Sequence, residues 1–198
     1  MEIIIRKAEL NDLNNLAVLK QQVWISTYAT EGLVNEFSSY VLSEYSVDNV
    51  RTSITDKNKL TLIATYNNAL VGCVEILLTP QSPLKEIEPS IEISSLYVLE
   101  RFQGLGIGKK LLVKCLNQIK QINHNKIWLT VYYKNQRAID FYLRQNFNHI
   151  GEMDFLLGDE KHKNYILIKN INKSQTHNIF IKWKRKKLQE MSALWKRD

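Results

Sequence analysis

Gln103-Gly104-Leu105-Gly106-Ile107-Gly108-Lys109-Lys110 is the stretch that decides the reading of this chain. Three of the seven glycines fall within five residues here, directly after the apolar run 91–98 and directly before a helical stripe. Glycine is a poor helix starter unless the backbone has to adopt an unusual conformation or approach something closely. The first turn of a helix presents N–H groups without intrahelical partners and the positive end of the helix dipole, so bare backbone at this place suits a phosphate or pyrophosphate. Lys109 and Lys110 add positive charge. A P-loop requires GxxxxGK[ST], and the glycines here are out of that register. A dinucleotide fingerprint requires GxGxxG beside an early strand, whereas the spacing here is GxGxG and comes late in the chain. A glycine turn of purely structural purpose is the remaining alternative.

Working outward, Ile3 to Ile5 read as a first strand, with Asn11-Asp12 as N-cap candidates for a helix carrying Leu13, Leu16, Leu19 and Val23. That helix should end near Trp24 to Tyr28, before a break at Thr30-Glu31-Gly32. Leu33, Phe37, Tyr40 and Val41 form a second helical stripe, and 48–56 a weaker third. The pattern then switches: 60–66 and 70–78 read as two strands around the tight turn Asn67-Asn68. The loop 80–89 holds every proline of the chain. Strand 91–98, helix 106–122, strand 126–133 and helix 135–145 follow, with further strands over 147–157 and 165–171. The alternation from 91 onward demands a right-handed crossover and hence a parallel pair inside a mostly antiparallel sheet. The expected fold is mixed α/β, a central sheet flanked by helices.

Gln103-x-x-Gly106-x-Gly108 resembles the acetyl-CoA signature Q/R-x-x-G-x-G/A of the GCN5-related N-acetyltransferases (GNAT). Asn135-x-x-Ala138-x-x-Phe141-Tyr142 is similar to the downstream element of that family, and the resemblance spans roughly residues 3–170. Asn146 stands where the family usually places a helix-ending glycine; asparagine is the next best residue at a left-handed cap. The resemblance implies acetyl transfer from acetyl-CoA to an amine, without a metal. It places the cofactor on backbone groups of Leu96, Tyr97 and Val98, on the loop Gln103, Gly104, Leu105, Gly106, Ile107, Gly108 and Lys109, and on Asn135, which also reads as an N-cap. It gives Tyr142 the role of acid toward the departing thiolate and Glu92 that of base, often through water. The respective alternatives are a packed aromatic and an ordinary surface charge. Trp24 to Tyr28, Ile127-Trp128-Leu129-x-Val131 and Phe155-x-x-Gly158-Asp159-Glu160 are similar to bacterial spermidine and spermine N-acetyltransferases. For a polyamine, Glu31, Glu36, Glu44, Glu86 and Glu88 are the candidate entrance carboxylates. A protein or peptide amine, another small amine, or a module that binds acetyl-CoA without turnover are the alternatives.

The formal net charge of +7 suggests a nucleic-acid partner until it is divided along the chain. Residues 171–198 carry eight Lys/Arg and two Asp/Glu, while residues 1–170 carry 19 and 18, so the excess belongs to the tail. The domain is therefore read as 1–170, with 171–198 as an extension. There Phe180, Trp183, Leu188, Met191 and Trp195 recur at helical spacing around a cluster of lysines. This is the pattern of a basic amphipathic helix that docks on its own domain, on a second subunit in a homodimer, or on an anionic surface. Cys73 and Cys115 sit in apolar runs and read as buried, reduced residues. Charges at positions 2, 6, 7 and 9 exclude a signal-peptide core, and no apolar run reaches the length of a membrane span, so a cytoplasmic protein is expected.

Overall fold

The computed structural model describes residues 2–84, 87, 90–119, 125–158 and 160–171. Seven strands form one sheet in the order β1-β2-β3-β4-β5-β7-β6. They are β1 (Ile3–Lys7), β2 (Lys59–Tyr66), β3 (Ala69–Leu77), β4 (Ile91–Val98), β5 (Lys126–Tyr132), β6 (Asn148–Leu157) and β7 (Glu160–Asn170). The helices are α1 (Leu13–Tyr28), α2 (Asn35–Glu44), α3 (Val47–Thr55), α4 (Ile107–Ile119) and α5 (Gln136–Arg144). The β4–β5 pair is parallel and the others are antiparallel, as the helical crossover through α4 requires. This is the mixed α/β sheet with flanking helices that the sequence implies.

Alternation along the strands separates two cores. Leu62, Val74, Ile76, Ile91, Ile93 and Leu129 pack with Ile107, Leu111, Cys115 and Ile119 of α4 and with Ile139 and Tyr142 of α5. On the other face, Ile63 and Cys73 meet Leu13, Leu16, Leu19 and Val23 of α1 and Val50 of α3. Both cysteines are free and buried, and burial pushes each thiol up to about 12. Asn67 and Asn68 take φ of 49° and 64°, the left-handed pair that a two-residue hairpin turn needs. Asn146 closes α5 at φ 61°.

The start of α1 differs from the sequence expectation. Asp12 makes no side-chain cap there. Its two oxygens instead accept from the Arg6 guanidinium at 2.7 Å each, and Oδ2 also accepts the Glu9 N–H at 2.8 Å. A bidentate charge-assisted pair is stronger than a neutral N–H bond, so Asp12 ties β1 to the preceding 3-10 turn. Ile171, one residue past the expected boundary, is buried in the α4 core and donates to the Asn125 carbonyl at 2.7 Å. The expected C-terminal amphipathic helix, and Glu86 and Glu88, lie outside the described residues. Among the described residues no helix is long and apolar enough to cross a membrane.

Candidate active site

The functional geometry starts in the pairing of β4. Its register with β5 consists of Ile91–Ile127 and Glu92–Trp128 alone. Beyond Glu92 the two strands part, and the β5-facing edge of residues 93–98 opens into a fork. Ser94 is an extra residue in the β3–β4 ladder, since Ile76 pairs Ile93 while Glu75 pairs Ser95. A bulge of this kind bends its strand and increases the local twist.

The glycine loop closes the far end of the fork. The Gln103 side chain donates to the Val98 carbonyl at 2.9 Å, so this residue anchors the loop to the end of β4 rather than projecting freely. Gly104 and Gly106 adopt φ of 80° and 77°, and a Cβ built on either meets no atom within 4 Å. The α4 ladder begins with Lys110 N–H to the Gly106 carbonyl at 3.0 Å, which aims the preceding N–H groups at that open space. Ile107 is buried and pins the helix start, whereas Leu105 and Lys109 are exposed. Gly108 packs on Leu96 and Phe141, each 3.5 Å from where its Cβ would stand, so it sets the spacing of α4 against β4 and α5. These features fit an extended anionic cofactor: free backbone donors, absent side chains, and an unpaired strand edge leading away from them.

Asn135 Oδ1 accepts the Ala138 N–H at 3.1 Å and caps α5, the helix that carries Tyr142. Tyr142 is buried, with its ring 5.1 Å from Phe141 and 5.4 Å from Phe147 between centroids. Burial pushes its hydroxyl well above the ordinary phenol value, with smaller pushes from the Tyr28 hydroxyl and the Cys115 thiol.

On the α1 face, Lys59, Leu77, Glu92 and Trp128 form one row across β2, β3, β4 and β5. Glu92 is half-buried. Burial raises its carboxyl above the usual carboxylate range; Lys59 opposes the rise and Glu75 adds to it. Ser94 and Thr130 are exposed on β4 and β5 and leave a polar floor beyond this row. On the same face an aromatic cluster ties α1 and α2 to the strands β5 and β6: Trp24 lies 4.8 Å from Tyr28 and 5.4 Å from Phe37, Tyr28 lies 5.4 Å from Tyr132, and Tyr40 lies 5.5 Å from Phe155. The Tyr45 and Tyr97 hydroxyls are 3.1 Å apart. Burial holds Tyr28 and Tyr40 up at about 12, so these phenols stay neutral.

The structure thus brings Leu96, Val98, Gln103, Gly106 and Gly108 together at one end of β4, with Phe141 and Tyr142 against α4. Glu92 stands four residues before Leu96, about 13 Å along an extended strand. Of the expected entrance carboxylates, Glu31, Glu36 and Glu44 are exposed. The Glu36 side chain lies against Gly158 in the β6–β7 turn. Glu44 instead lines a separate cavity of about 210 Å³ with Lys20, Asn49, Thr52, Ser53 and Lys59. Sequence reasoning missed Glu75 and Lys20, a buried ion pair at 2.8 Å. The available signal was one lone charge in each of two apolar stretches, of opposite sign.

The sequence model of the acetyltransferase (GNAT) family matches residues 27–147. The chain belongs to this family. It is an acetyl-CoA-dependent N-acetyltransferase with the GNAT fold. The acetyltransferase is 24% identical over 162 residues to an uncharacterised N-acetyltransferase of Mycobacterium tuberculosis, covering 82% of this chain and 99% of that relative. It is 28% identical over 153 residues to a spermidine N(1)-acetyltransferase of Thermoplasma acidophilum, covering 74% and 89%. Among solved structures, the PaiA N-acetyltransferase of Thermoplasma acidophilum in complex with coenzyme A superposes with a TM-score of 0.69 at 24% identity, covering 86% of this chain and 99% of that one.

Proposed function

We propose that this acetyltransferase modifies a primary amine of a polyamine such as spermidine or spermine. The observation that carries the reading is the half-buried carboxylate Glu92, on the same sheet face as the aromatic cluster of α1 and α2 and two residues before the bulge at which the β4 edge opens. Similarity to a spermidine N(1)-acetyltransferase supports the choice of amine. Aromatic faces accept both the methylene segments and the ammonium groups of such a chain, and the exposed Glu31 and Glu36 add attraction at longer range.

Acetyl-CoA supplies an activated thioester when bound. The backbone N–H groups of Leu96 and Val98 would hold and polarise its carbonyl, and those at the start of α4 would take the phosphates. Tyr97, expected from the sequence to share this role, pairs with Cys73 and turns its N–H toward β3, as the bond from Leu99 N–H to the Val71 carbonyl two residues on requires. An alkylammonium near pKa ~10 must lose a proton before it can attack. Glu92 receives that proton; its distance from Leu96 calls for a chain of waters between base and amine. Tyr142 would donate a hydrogen bond to the departing sulfur: its raised hydroxyl is fully protonated at neutral pH and, being a weaker acid than a thiol near ~8.5, it stabilises the developing thiolate as the C–S bond breaks, while the proton that completes the thiol comes from the attacking ammonium by way of solvent.

The experiment is thiol release from acetyl-CoA with spermidine, spermine, lysine-containing peptides and aminoglycosides. Spermidine or spermine should give the highest kcat/KM. Release on peptides with none on either polyamine refutes the reading.

A further inference from the structure

Glu75 is buried in the middle of β3, and the chemistry above makes no direct use of it. Its Oε2 accepts from Lys20 Nζ at 2.8 Å and from Thr61 Oγ1 at 3.5 Å, while Oε1 accepts from Ser94 Oγ at 3.3 Å and lies 3.9 Å from Lys59 Nζ. Each of these contacts comes from a donor or a cation, so the carboxylate is ionised despite its burial. Replacing a buried ion pair by apolar residues is often neutral or stabilising, so the pair's location is more telling than its energy. Glu75 lies beside the β4 bulge, and Leu77, two residues further along β3, is opposite Glu92. Glu75 and Glu92 are therefore diagonal neighbours on one face of the sheet, about 7–8 Å apart.

We propose that Glu75 is a positioning residue for acetyl transfer: its charge, anchored by Lys20 one diagonal step from Glu92, keeps that carboxylate basic, and its bond to Ser94 fixes the bulge at which the β4 edge opens. The inference rests on the reading of Glu92 as the base. The charged groups that reach Glu92 are Glu75 from β3 and Lys59 from β2, which act in opposite directions. Lys20 from α1 reaches it through Glu75. Neither Trp128 on β5 nor Ile87, which packs on Trp128 from the 80–90 loop, titrates. Were Glu75 neutral, Lys59 and Lys20 would act on Glu92 without an opposing charge, its pKa would fall, and it would take a proton from the amine less readily. A single charge at this separation corresponds to about one and a half pH units at the effective dielectric typical near a protein surface.

The test is the pH dependence of kcat/KM for the full chain with acetyl-CoA and the best acceptor of the amine panel. Glu75→Gln should move the acid break down by about one and a half units and lower the plateau, leaving the Kd for CoA unchanged. Lys20→Met/Glu75→Gln removes both charges, which guards against a single variant that fails to fold, and should move the break in the same direction by less. Glu92→Gln should delete the break. If Glu92→Gln keeps the wild-type break, the base is elsewhere and the inference falls with it. If Glu92→Gln deletes the break but both Glu75 variants keep it at the wild-type pH, the role of Glu75 is refuted while that of Glu92 stands.

Discussion

Gly106→Val separates the two roles that a glycine at this position plays. Its φ of 77° belongs to the left-handed region, where an L-residue loses about 1–2 kcal/mol and a β-branched one sits at the upper end. A Cβ there meets no atom within 4 Å, so no packing clash adds to that strain. Against a typical stability of about 5–15 kcal/mol the variant stays folded. The added side chain projects into the open space at the start of α4, where the proposed phosphate cradle would need bare backbone. The Kd for CoA by titration calorimetry should rise at least tenfold, about 1.4 kcal/mol or more. Gly32→Val is the control for strain alone, since Gly32 has φ 116°, nothing within 4 Å of its Cβ position, and a place in the α1–α2 loop away from the glycine loop. Urea melts should show similar losses in the two variants, with CoA affinity lost only at Gly106. Wild-type affinity in Gly106→Val, or equal loss of affinity in both, refutes the placement of the cradle.

Tyr142→Phe keeps the ring packing on Phe141 and Phe147 and removes only the hydroxyl, so kcat in the thiol-release assay should fall about 10²–10⁴-fold with an unchanged Kd for CoA; an unchanged kcat returns the residue to the core. Lys20→Met leaves the buried Glu75 carboxylate with only the more distant Lys59, at 3.9 Å, as counter-ion and should lower stability at pH 7 by up to about 3–5 kcal/mol, most of it recovered in Lys20→Met/Glu75→Gln. The pairing holds Glu75 below the ordinary carboxylate range, so its contribution is present above the unfolded value near ~4.3 and lost as the pH falls through the folded one. Urea melts across that window should show the gap between wild type and Lys20→Met closing toward low pH, and a gap constant with pH argues against this pairing.

Local chemistry made much of the fold legible. Asn67-Asn68 between two apolar runs specifies a hairpin, and glycines between a strand and a helical stripe mark a turn that takes positive φ at Gly104 and Gly106, because each is a backbone demand that few residues meet. The N-cap at Asp12 was misread because Arg6 reaches it from β1, a contact between elements that no local rule weighs. Strand β7 begins at Glu160, earlier than the apolar run starting at Tyr165, because Lys161 and Lys163 lie opposite Leu156 and Asp154 in an edge ladder held by main-chain bonds. Most of all, Lys20 and Glu75 are 55 residues apart, and nothing in either segment names its partner. The glycine turn and its place before α4 were legible because they consist of backbone and its spacing. The groove side was less so, because it consists of long-range side-chain encounters.

The two sides meet on β4, and β3 divides the strand between them. Up to Glu92, β4 pairs with β5; from the Ser94 bulge onward it does not. A bulge strengthens the right-handed twist of its strand, so the second half of β4 swings away from β5 while remaining in register with β3 from Ser95 to Val98. Gly72 permits the close contact that holds it there: a Cβ on this residue would stand 2.9 Å from the Tyr97 carbonyl oxygen and 3.3 Å from a Val98 methyl. Glu75 secures the bulge itself through Ser94. Two β3 residues, one without a side chain and one with a buried charge, thereby hold open the edge that the cofactor arm would use. The same buried charge acts one diagonal step away on Glu92, and so couples the geometry of the donor side to the basicity of the acceptor side.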